Sequence, residues 1–403
     1  MIDREPVVVT GIGLVTALGT GTGAWQNLLD GRCAIGPVRS FDTASHAAHV
    51  GAEIANFTPP ADAAQFGRAT GFALGAARHA LADAGLARAE VDALRGGVTI
   101  GTTSGEPAFV ERLEDSRAAG AASAEASADL AMHYPSHLLA ARVARDAGFL
   151  GPAMTIPTAC AAGNHAIAAA AGLLRSGRAD VMLAGGADAF SRITFTGFAR
   201  LGAIAPEYCQ PFDRHRKGMV PGEGAAMLLL ERAGHARRRG ARIYAEVAGC
   251  GLSCDAYHMT GGDPSGDGAV RAMHAALADA GLSPGDVSYV SAHGTGTPVN
   301  DRLEAIALTR VFGSGGGGIP ASSIKSMIGH AMGAASAIEA VACVLATVHD
   351  VVPPTIHYET PDPECSLDCV PNAAREYRVG IAMNNAYGFG GNNASVIFRK
   401  WEA

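Results

Sequence analysis

A seven-residue repeat constrains the fold of this chain more than any other feature. The sequence ALADAGL occurs at Ala80–Leu86 and again at Ala276–Leu282, each time followed by a short polar connection and a predicted strand. The second of these strands is Val287–Ala292. A match this short in an alanine-rich chain needs support from the order of the elements around it. That order is similar in the two regions, and we predict a duplicated pair of α/β halves.

A weaker internal similarity supports the duplication. The helix that carries His165 and the helix predicted for Gly333–Leu345 are both rich in small residues, and each follows a polar turn. No long proline- or serine-rich linker separates the two regions. We therefore predict two halves, 1–248 and 249–403, that change over near Gly249 and share one continuous core.

Strands and helices alternate along the rest of the chain, as expected for a layered α/β architecture. Apolar spacing predicts helices at Ala69–Leu86 and within Ser127–Ala147. The predicted strands are Val7–Gly11, Val98–Gly101, Val181–Ala184, Ala226–Leu230 and Arg242–Val247.

Charge and hydropathy exclude two classes of function. The 31 basic residues are outnumbered by 38 acidic ones, which argues against nucleic acid as a partner. The apolar runs Ala166–Leu174 and Ala331–Val348 are too short or are interrupted by polar residues, which favours buried core helices over membrane spans. The N-terminus carries two acids and passes directly into a strand, unlike a signal or transit peptide. We therefore expect a cytoplasmic protein without a membrane or nucleic-acid partner.

Two patterns that could hold a cofactor or a metal are incomplete. Gly11 and Gly13 suggest a dinucleotide-binding loop, but Thr16 stands at the third glycine position and no acid follows at the ribose-binding distance. These glycines instead suit a strand-to-helix turn that runs close to neighbouring backbone. The eight cysteines include two C-x-x-x-C pairs, but no histidines cluster beside them. We predict reduced thiols, no cofactor and no metal. The cysteines are Cys33, Cys160, Cys209, Cys250, Cys254, Cys343, Cys365 and Cys369.

The stretch Met154–Leu174 contains the first candidate for a reactive side chain. It joins an extended apolar segment to an alanine-rich helix through a polar elbow that carries Cys160. Thr158 is a candidate N-cap, which would put Cys160 in the first helical turn, where unpaired N–H groups and the positive helix end favour a thiolate. A small buried cysteine that helps the helix to pack is the alternative. This stretch alone leaves both interpretations open.

Three further turns carry polar residues where an ordinary core would not. His293 follows a strand in SAHGTGTPVND, Lys325 and His330 surround a turn in SSIKSMIGHAMGA, and the glycine-hinged loop NNAYGFGGNN leaves an apolar strand. Each has an ordinary structural interpretation, as a capped histidine, a surface lysine or a tight hairpin. Together with Cys160 they supply a nucleophile, two imidazoles, an ammonium group and a glycine-rich loop.

These motifs resemble those of a known family. In TACAAG, HGTGTPVND, IKSMIGH and YGFGGNN the chain is similar to the type II beta-ketoacyl-[acyl carrier protein] synthases, the elongating condensing enzymes of the thiolase superfamily. The segments Pro211–Glu231 and Asp255–Thr260 also resemble family segments, so the likeness spans nearly the whole chain. It implies two thiolase-like α/β halves that form a five-layered αβαβα core.

The resemblance also implies a reaction. Cys160 would accept an acyl group from a carrier-protein thioester, and a malonyl-carrier thioester would lose carbon dioxide to give a carbanion that attacks it. His293 and His330 would act as N–H donors to the developing negative charge. The backbone N–H groups of Cys160 and Phe389 would form the oxyanion hole for acyl transfer. Phe389 would gate the acyl pocket, with Gly390 beside it in the substrate-binding loop.

Other residues would support this site. By resemblance, Lys325 would organise the site electrostatically and orient His330. Glu339 on the following apolar helix would be its buried ionic partner, because a buried carboxylate needs one. Thr295 and Thr297 would contact the pantetheine arm of the carrier.

The expected partner is an acidic acyl carrier protein that bears phosphopantetheine thioesters, which requires a local basic patch. Arg68, Arg200 and Lys217 are candidates by position, whereas the run Arg237–Arg239 suits a solvated face. The segment between Ala189 and Pro211 looks shorter than is usual for the family, so chain length is left open. We expect a homodimer, with a heterodimer containing a chain-length-factor-like subunit as the alternative.

Related enzymes offer competing interpretations. A thiolase proper would need a second catalytic cysteine in the C-terminal loop, and YGFGGNN has none. The His-Asn initiating synthases lack a motif like that of Lys325. A chain-length partner subunit typically replaces the nucleophile, whereas this chain keeps Cys160 with both histidines. The choice between fatty-acid and polyketide assembly stays open.

Overall fold

The structure is a computed structural model that describes residues 5–60, 64–87, 91–121 and 123–402. The first four residues, which entered the prediction about the N-terminus, lie outside this part. The strands are β1 (Val7–Thr16), β2 (Gly19–Thr20), β3 (Gly36–Pro37), β4 (Val50–Gly51), β5 (Gly96–Gly101), β6 (Ala153–Ile156), β7 (Val181–Asp188), β8 (Gly224–Arg232), β9 (Ala245–Cys254), β10 (Tyr289–Ser291), β11 (Ala321–Ser322), β12 (Val351–Val352), β13 (Arg375–Glu376), β14 (Ile381–Gly388) and β15 (Asn392–Lys400). The helices are α1 (Gly21–Leu29), α2 (Arg68–Asp83), α3 (Pro107–Ala118), α4 (Ala124–His133), α5 (Leu138–Ala147), α6 (Ala162–Arg175), α7 (Arg192–Arg200), α8 (Ala233–Arg238), α9 (Asp267–Ala280), α10 (Pro298–Phe312), α11 (Lys325–Ile328) and α12 (Ala335–His349).

Strand order confirms the predicted duplication. The first half has the order β6-β5-β7-β8-β1, and the second half repeats it as β11-β10-β14-β15-β9. Pairing directions repeat as well, since β5 is parallel to β6 and β7 as β10 is to β11 and β14, and the remaining pairs are antiparallel. An antiparallel pairing of β1 with β9 joins the halves into one eleven-stranded sheet.

Helices cover both faces of each half. α6 and α12 pack against each other and against strands of both halves, and they carry much of the largest apolar cluster. α2 and α5 cover the outer face of the first half, while α9 and α10 cover that of the second. This arrangement is the predicted αβαβα layering.

Close helix-to-strand packing explains the repeated heptapeptide. A Cβ on Gly11 of β1 would lie 2.1 Å from the carbonyl oxygen of Ala80, the first residue of the first repeat. A Cβ on Gly249 of β9 would lie 2.3 Å from the carbonyl oxygen of Ala276, the first residue of the second repeat. Only glycine permits this approach, so each half presses the same small-residue helix against a G-x-G segment of its first strand.

Two predicted boundaries need correction. Gly11 and Gly13 lie inside β1, which continues to Thr16, so they do not form the predicted strand-to-helix turn. The glycines were mistaken for a turn signal because their packing against α2 is not visible in local sequence. Gly249, where the change-over was predicted, lies inside β9, so the strand order starts the second half at Ala245.

The most apolar stretch of the chain lies in the core. Met332–His349 is long and apolar enough to cross a bilayer by composition, but 89% of it is buried inside the molecule. It forms α12 and the short turn before it, in the central layer. The prediction of a core helix is confirmed.

Candidate active site

Cys160 lies on a strained elbow between β6 and α6. A 3-10 turn, Ala159–Ala161, precedes α6, and Ala159 has a φ of 50°, in the left-handed region. Cys160 is buried, with 7% of its surface exposed. Thr158 occupies the cap position, but its side chain makes no capping hydrogen bond, so the predicted capping role is wrong. Within the described residues, its buried Oγ1 has no hydrogen-bond partner at all.

The thiol is held neutral at rest. Burial raises the pKa of Cys160 to about 11, although the nearby Lys325 ammonium lowers it, and Asp188 adds to the rise. The predicted thiolate at a helix N-terminus is therefore wrong for the resting site. Burial is the largest cause of this shift, and Cys160 lies in the 3-10 turn two residues before α6 begins.

Two backbone N–H groups converge on the Cys160 sulfur. They belong to Cys160 itself and to Phe389, and both hydrogen bonds lower the pKa of the thiol. β14 reaches the elbow because its last residue is Gly388, whose Cβ would lie 3.2 Å from the Cys160 nitrogen and 3.0 Å from the Thr158 oxygen. The pair of donors has the geometry of an oxyanion hole around the nucleophile.

His293 is fixed from both sides. Its backbone N–H donates to Glu304 at 2.8 Å, and its Nδ1 lies 3.5 Å from the Lys325 Nζ. Lys325 is buried and forms an ion pair with Glu339 on α12. An ammonium group can only donate, so Nδ1 accepts and the His293 proton sits on Nε2. Lys325 thus contacts His293, whereas the sequence analysis predicted that it orients His330.

His330 faces the site with an unengaged ring. Its backbone N–H donates to Val220 at 2.7 Å, which fixes the main chain. Neither ring nitrogen has a hydrogen-bond partner among the described residues, although both are buried. The ring lies 5.5 Å from that of His293, at an interplanar angle of 84°. Burial, followed by the Lys325 charge, lowers the pKa of both histidines well below the ordinary value, so both are neutral.

The three reactive groups meet at one point. Ligating atoms of Cys160, His293 and His330 all lie within 4.8 Å of one another. They line a cavity of about 150 Å³. A nucleophile, two neutral imidazoles and two aligned N–H groups can attack a thioester carbonyl and stabilise the oxyanions that form.

Three of the remaining predicted substrate-binding residues line this cavity, and the fourth follows in the same loop. Thr295 and Thr297 both line it, and their hydroxyl groups lie 2.8 Å apart. Phe389 also lines it, is 38% exposed, and packs on Phe198 with ring centroids 5.5 Å apart. Gly390, with a φ of 79°, follows it in the same loop.

Two buried carboxylates were missed by the sequence analysis. Glu304 accepts the N–H groups of His293 and Gly294, and burial raises its pKa to about 8 although these bonds oppose the shift. Asp188 ends β7, and burial raises its pKa to about 6 while hydrogen bonds from backbone N–H groups oppose the shift. A single acid at the end of an apolar strand was the signal available for Asp188.

The candidate carrier-docking cations differ in their availability. Arg200 and Lys217 are exposed. Arg68 is 40% exposed at its side chain but is bound through two nitrogens to the buried Glu223. Arg239 pairs with the buried Glu231, so the run Arg237–Arg239 is not wholly a solvated face as predicted.

Family models cover most of the chain. The model described as beta-ketoacyl synthase, N-terminal domain, matches residues 4–236. The model described as beta-ketoacyl synthase, C-terminal domain, matches residues 244–359.

Similar proteins span the whole length of this chain. Nodulation protein E of Rhizobium sp. (strain N33) is 43% identical over 99% of this chain and 100% of its own length. The 3-oxoacyl-[acyl-carrier-protein] synthase 2 of Synechocystis sp. is 40% identical over 100% of this chain and 99% of its own length. The solved ishigamide ketosynthase/chain length factor has a TM-score of 0.94 and 41% identity, covering 99% of this chain and 100% of that one. Other similar structures hold a type II polyketide ketosynthase with its acyl carrier protein, or a ketosynthase with its chain length factor.

Proposed function

This chain belongs to the beta-ketoacyl synthase family, the condensing acyltransferases of fatty-acid and type II polyketide synthesis, and we propose how its residues divide the reaction. Cys160 carries the acyl chain, and His293 with His330 promotes decarboxylation of a malonyl-carrier thioester. The convergence of the Cys160 sulfur with ring nitrogens of His293 and His330 within 4.8 Å carries this assignment.

Acyl transfer begins from a neutral thiol and needs a base. His293 keeps its proton on Nε2 because Lys325 donates to Nδ1. His330 has free ring nitrogens, so it takes the thiol proton as sulfur attacks the carrier thioester. The N–H groups of Cys160 and Phe389 stabilise the tetrahedral oxyanion. The proton then passes to the departing pantetheine sulfur, and the acyl-enzyme remains.

Acyl transfer needs a base, whereas condensation needs groups that donate hydrogen bonds. When malonyl thioester loses carbon dioxide, negative charge develops on the thioester oxygen, and neutral His293 and His330 each present one N–H to it. The enolate carbon attacks the acyl carbonyl on Cys160, the sulfur leaves as a thiolate, and protonation by solvent regenerates the resting thiol. The positive charge of Lys325 lies behind His293 and favours the anion. Removal of one such donor lowers the rate by about a hundred- to a thousandfold.

Two separate measurements test this division. Labelled acyl transfer to protein and carbon dioxide release from malonyl-carrier are followed for each variant. We expect Cys160→Gln to lose acylation while decarboxylation persists or rises, because the amide mimics the acyl-enzyme. His293→Ala should keep most acylation and lose carbon dioxide release by about a hundred- to a thousandfold. His330→Ala should slow both.

Cys254→Ser is the matched control, because it removes an exposed thiol that does not line the cavity. Carbon dioxide release at the wild-type rate in both histidine variants would refute the assigned roles while leaving the family unchanged.

The partners follow from exposed surfaces. Phosphopantetheine would enter past Thr295 and Thr297, and an acidic acyl carrier protein would meet Arg200 and Lys217. β6 is the outermost strand of its half, and Met154 on it is 38% exposed. An open edge with exposed apolar residues suits pairing with a second chain.

A homodimer in the cytoplasm is the favoured assembly. Likeness to a ketosynthase/chain length factor supports the heterodimer as the alternative. Light scattering of the purified chain decides between them. A mass of two chains supports the homodimer, copurification of a second chain of similar size supports the heterodimer, and a stable monomer excludes both.

A further inference from the structure

The three reactive side chains also form a set of metal ligands. Thiolate sulfur and neutral imidazole nitrogen are the donors that zinc prefers, and three protein ligands plus an open position is a common zinc arrangement. The atoms of Cys160, His293 and His330 lie within 4.8 Å of one another. Tetrahedral zinc would need ligand separations of about 3.3–3.6 Å, which rotation of the side chains by about 1 Å would supply.

We propose that Cys160, His293 and His330 bind a soft divalent cation, Zn²⁺ above all, that blocks the enzyme, and that Lys325 keeps this affinity low. His330 offers a ring nitrogen lone pair directly, since its ring is buried and unpartnered in the described structure. Cys160 gives its thiol proton to solvent as the sulfur–zinc bond forms. Water from the cavity fills the fourth position.

Lys325 opposes the cation in two ways. Its hydrogen bond to Nδ1 holds the His293 proton on Nε2, the nitrogen that zinc would need. Transfer of that proton to Nδ1 would point an N–H at an ammonium group. The charge of Lys325 also repels a dication at close range, and Glu339 offsets only part of this charge.

The same charge therefore discriminates between two kinds of ligand. The Lys325 ammonium group attracts and stabilises an enolate, whereas it repels a metal cation and weakens its binding. A buried lysine beside a Cys-His-His cluster thus acts as a positioning residue that protects the thiol from metal capture.

Zinc titration of tag-free, chelator-treated protein without substrate tests the proposal. Affinity is measured by competition with a chromophoric chelator. We expect Lys325→Met to bind Zn²⁺ at least tenfold more tightly than wild type. Adding Cys160→Ala to Lys325→Met should abolish the gain, and Cys254→Ser should match wild type. Cobalt should give a thiolate-to-metal charge-transfer band in Lys325→Met that disappears with Cys160→Ala.

The proposal is overturned if Lys325→Met binds no more tightly than wild type, or if its gain survives Cys160→Ala. Lys325→Met leaves Glu339 buried without its partner, so the double variant with Glu339→Gln provides the same test with no unpaired charge.

A measurement on wild type does not depend on any variant folding. Saturating Zn²⁺ should slow iodoacetamide alkylation of Cys160 at least tenfold and leave that of Cys254 unchanged. Equal protection of both thiols, or of neither, would also overturn the proposal. Because no acyl substrate is present, the zinc result and the proposed condensation roles can fail independently.

Discussion

The two halves of the molecule build the same elbow and use it differently. In the first half Ala159, with a φ of 50°, starts the 3-10 turn that holds Cys160 before α6. In the second half Met332, also with a φ of 50°, starts the 3-10 turn that holds Gly333 before α12. The same backbone strain therefore presents a thiol in one half and no side chain in the other.

Each elbow is met by the middle strand of the five in the other half, β7 or β14. β7 and β14 are both eight residues long. β7 ends at Asp188, whose carboxylate accepts the Gly333 N–H at 2.7 Å. β14 ends at Gly388, and the next N–H, that of Phe389, points at the Cys160 sulfur. The second elbow thus has the Asp188 carboxyl group against its N–H, where the first has the N–H groups of Cys160 and Phe389 around the thiol.

The two elbows are therefore equivalent in backbone, but of the two, within the described part of the chain, the Cys160 elbow is the one that lines the cavity. Asp188 also accepts from the Thr102 hydroxyl and from the N–H groups of Thr103 and Ser104. The Asp188 carboxylate holds loops of both halves together, whereas the N–H groups at the Cys160 elbow are those proposed to stabilise transient charge. The same elbow therefore has a structural role in the second half, and the catalytic role proposed above belongs to its counterpart in the first half.

A carboxylate placed at the Cys160 elbow should produce the largest effect. Gly388→Asp installs the carboxylate that Asp188 provides in the other half, next to the Cys160 N–H. Gly388 has a φ of −114°, which any residue adopts. We expect condensation to fall at least a thousandfold, because both N–H donors and the local charge are lost to the oxyanion.

Gly388→Ala is the matched control, since its Cβ contacts at 3.0–3.2 Å disturb the elbow without charge. Steady-state condensation measures both. Activities of Gly388→Asp and Gly388→Ala within tenfold of each other would show that the oxyanion does not bind there.

Removing the Asp188 carboxyl group should lower the stability of the folded protein. Asp188→Ala leaves four donors from both halves without a partner. We expect the free energy of unfolding to fall by about 2–4 kcal/mol. Cys160→Ala, at the other elbow, should change it by less than about 1 kcal/mol. Urea denaturation compares them, and equal losses would mean that Asp188 does not tie the halves together.

The sequence revealed residues whose environment is local and missed those whose environment crosses the halves. Cys160, His293, Lys325 and His330 stand in turns with unusual polarity, so their candidacy was visible. The Lys325 contact with His293 joins side chains 32 residues apart in the chain, which no local spacing encodes. Asp188 acquires its role only from an elbow 145 residues away.

The degree of burial of a side chain is the second property that local sequence does not reveal. The helix start favoured a thiolate, but burial decides the Cys160 pKa. The repeated heptapeptide did reveal the duplication, because its cause is local packing of a helix on its own strand.

This packing of a helix on its own strand should contribute similarly to the free energy of unfolding in both halves. A Cβ on Gly13 would lie 1.7 Å from the Ala76 oxygen, and one on Gly251 would lie 2.0 Å from the Ala272 oxygen. We expect Gly13→Ala and Gly251→Ala each to lower the free energy of unfolding by about 1–3 kcal/mol. Gly172 lies inside α6, where a Cβ would meet no described atom within 4 Å, so Gly172→Ala should stabilise slightly. A urea midpoint that fell for only one of Gly13→Ala and Gly251→Ala would show that the helix-to-strand packing does not contribute equally to stability in the two halves.

The smallest effect concerns the Cys160 elbow at rest. Two converging N–H groups and Lys325 do not ionise Cys160, since burial raises its pKa to about 11. Below that value the thiolate fraction grows tenfold with each pH unit, so alkylation of Cys160 by a small neutral reagent should rise about tenfold per unit from pH 7 to pH 10. Lys325→Met should lower every rate, because the ammonium group favours the thiolate. Peptide mass mapping follows the reaction, and a plateau at or below pH 8 would show that the thiol is already ionised. A steady rise would mean that Cys160 rests as a neutral thiol, so that acyl transfer needs a base, the role proposed for His330.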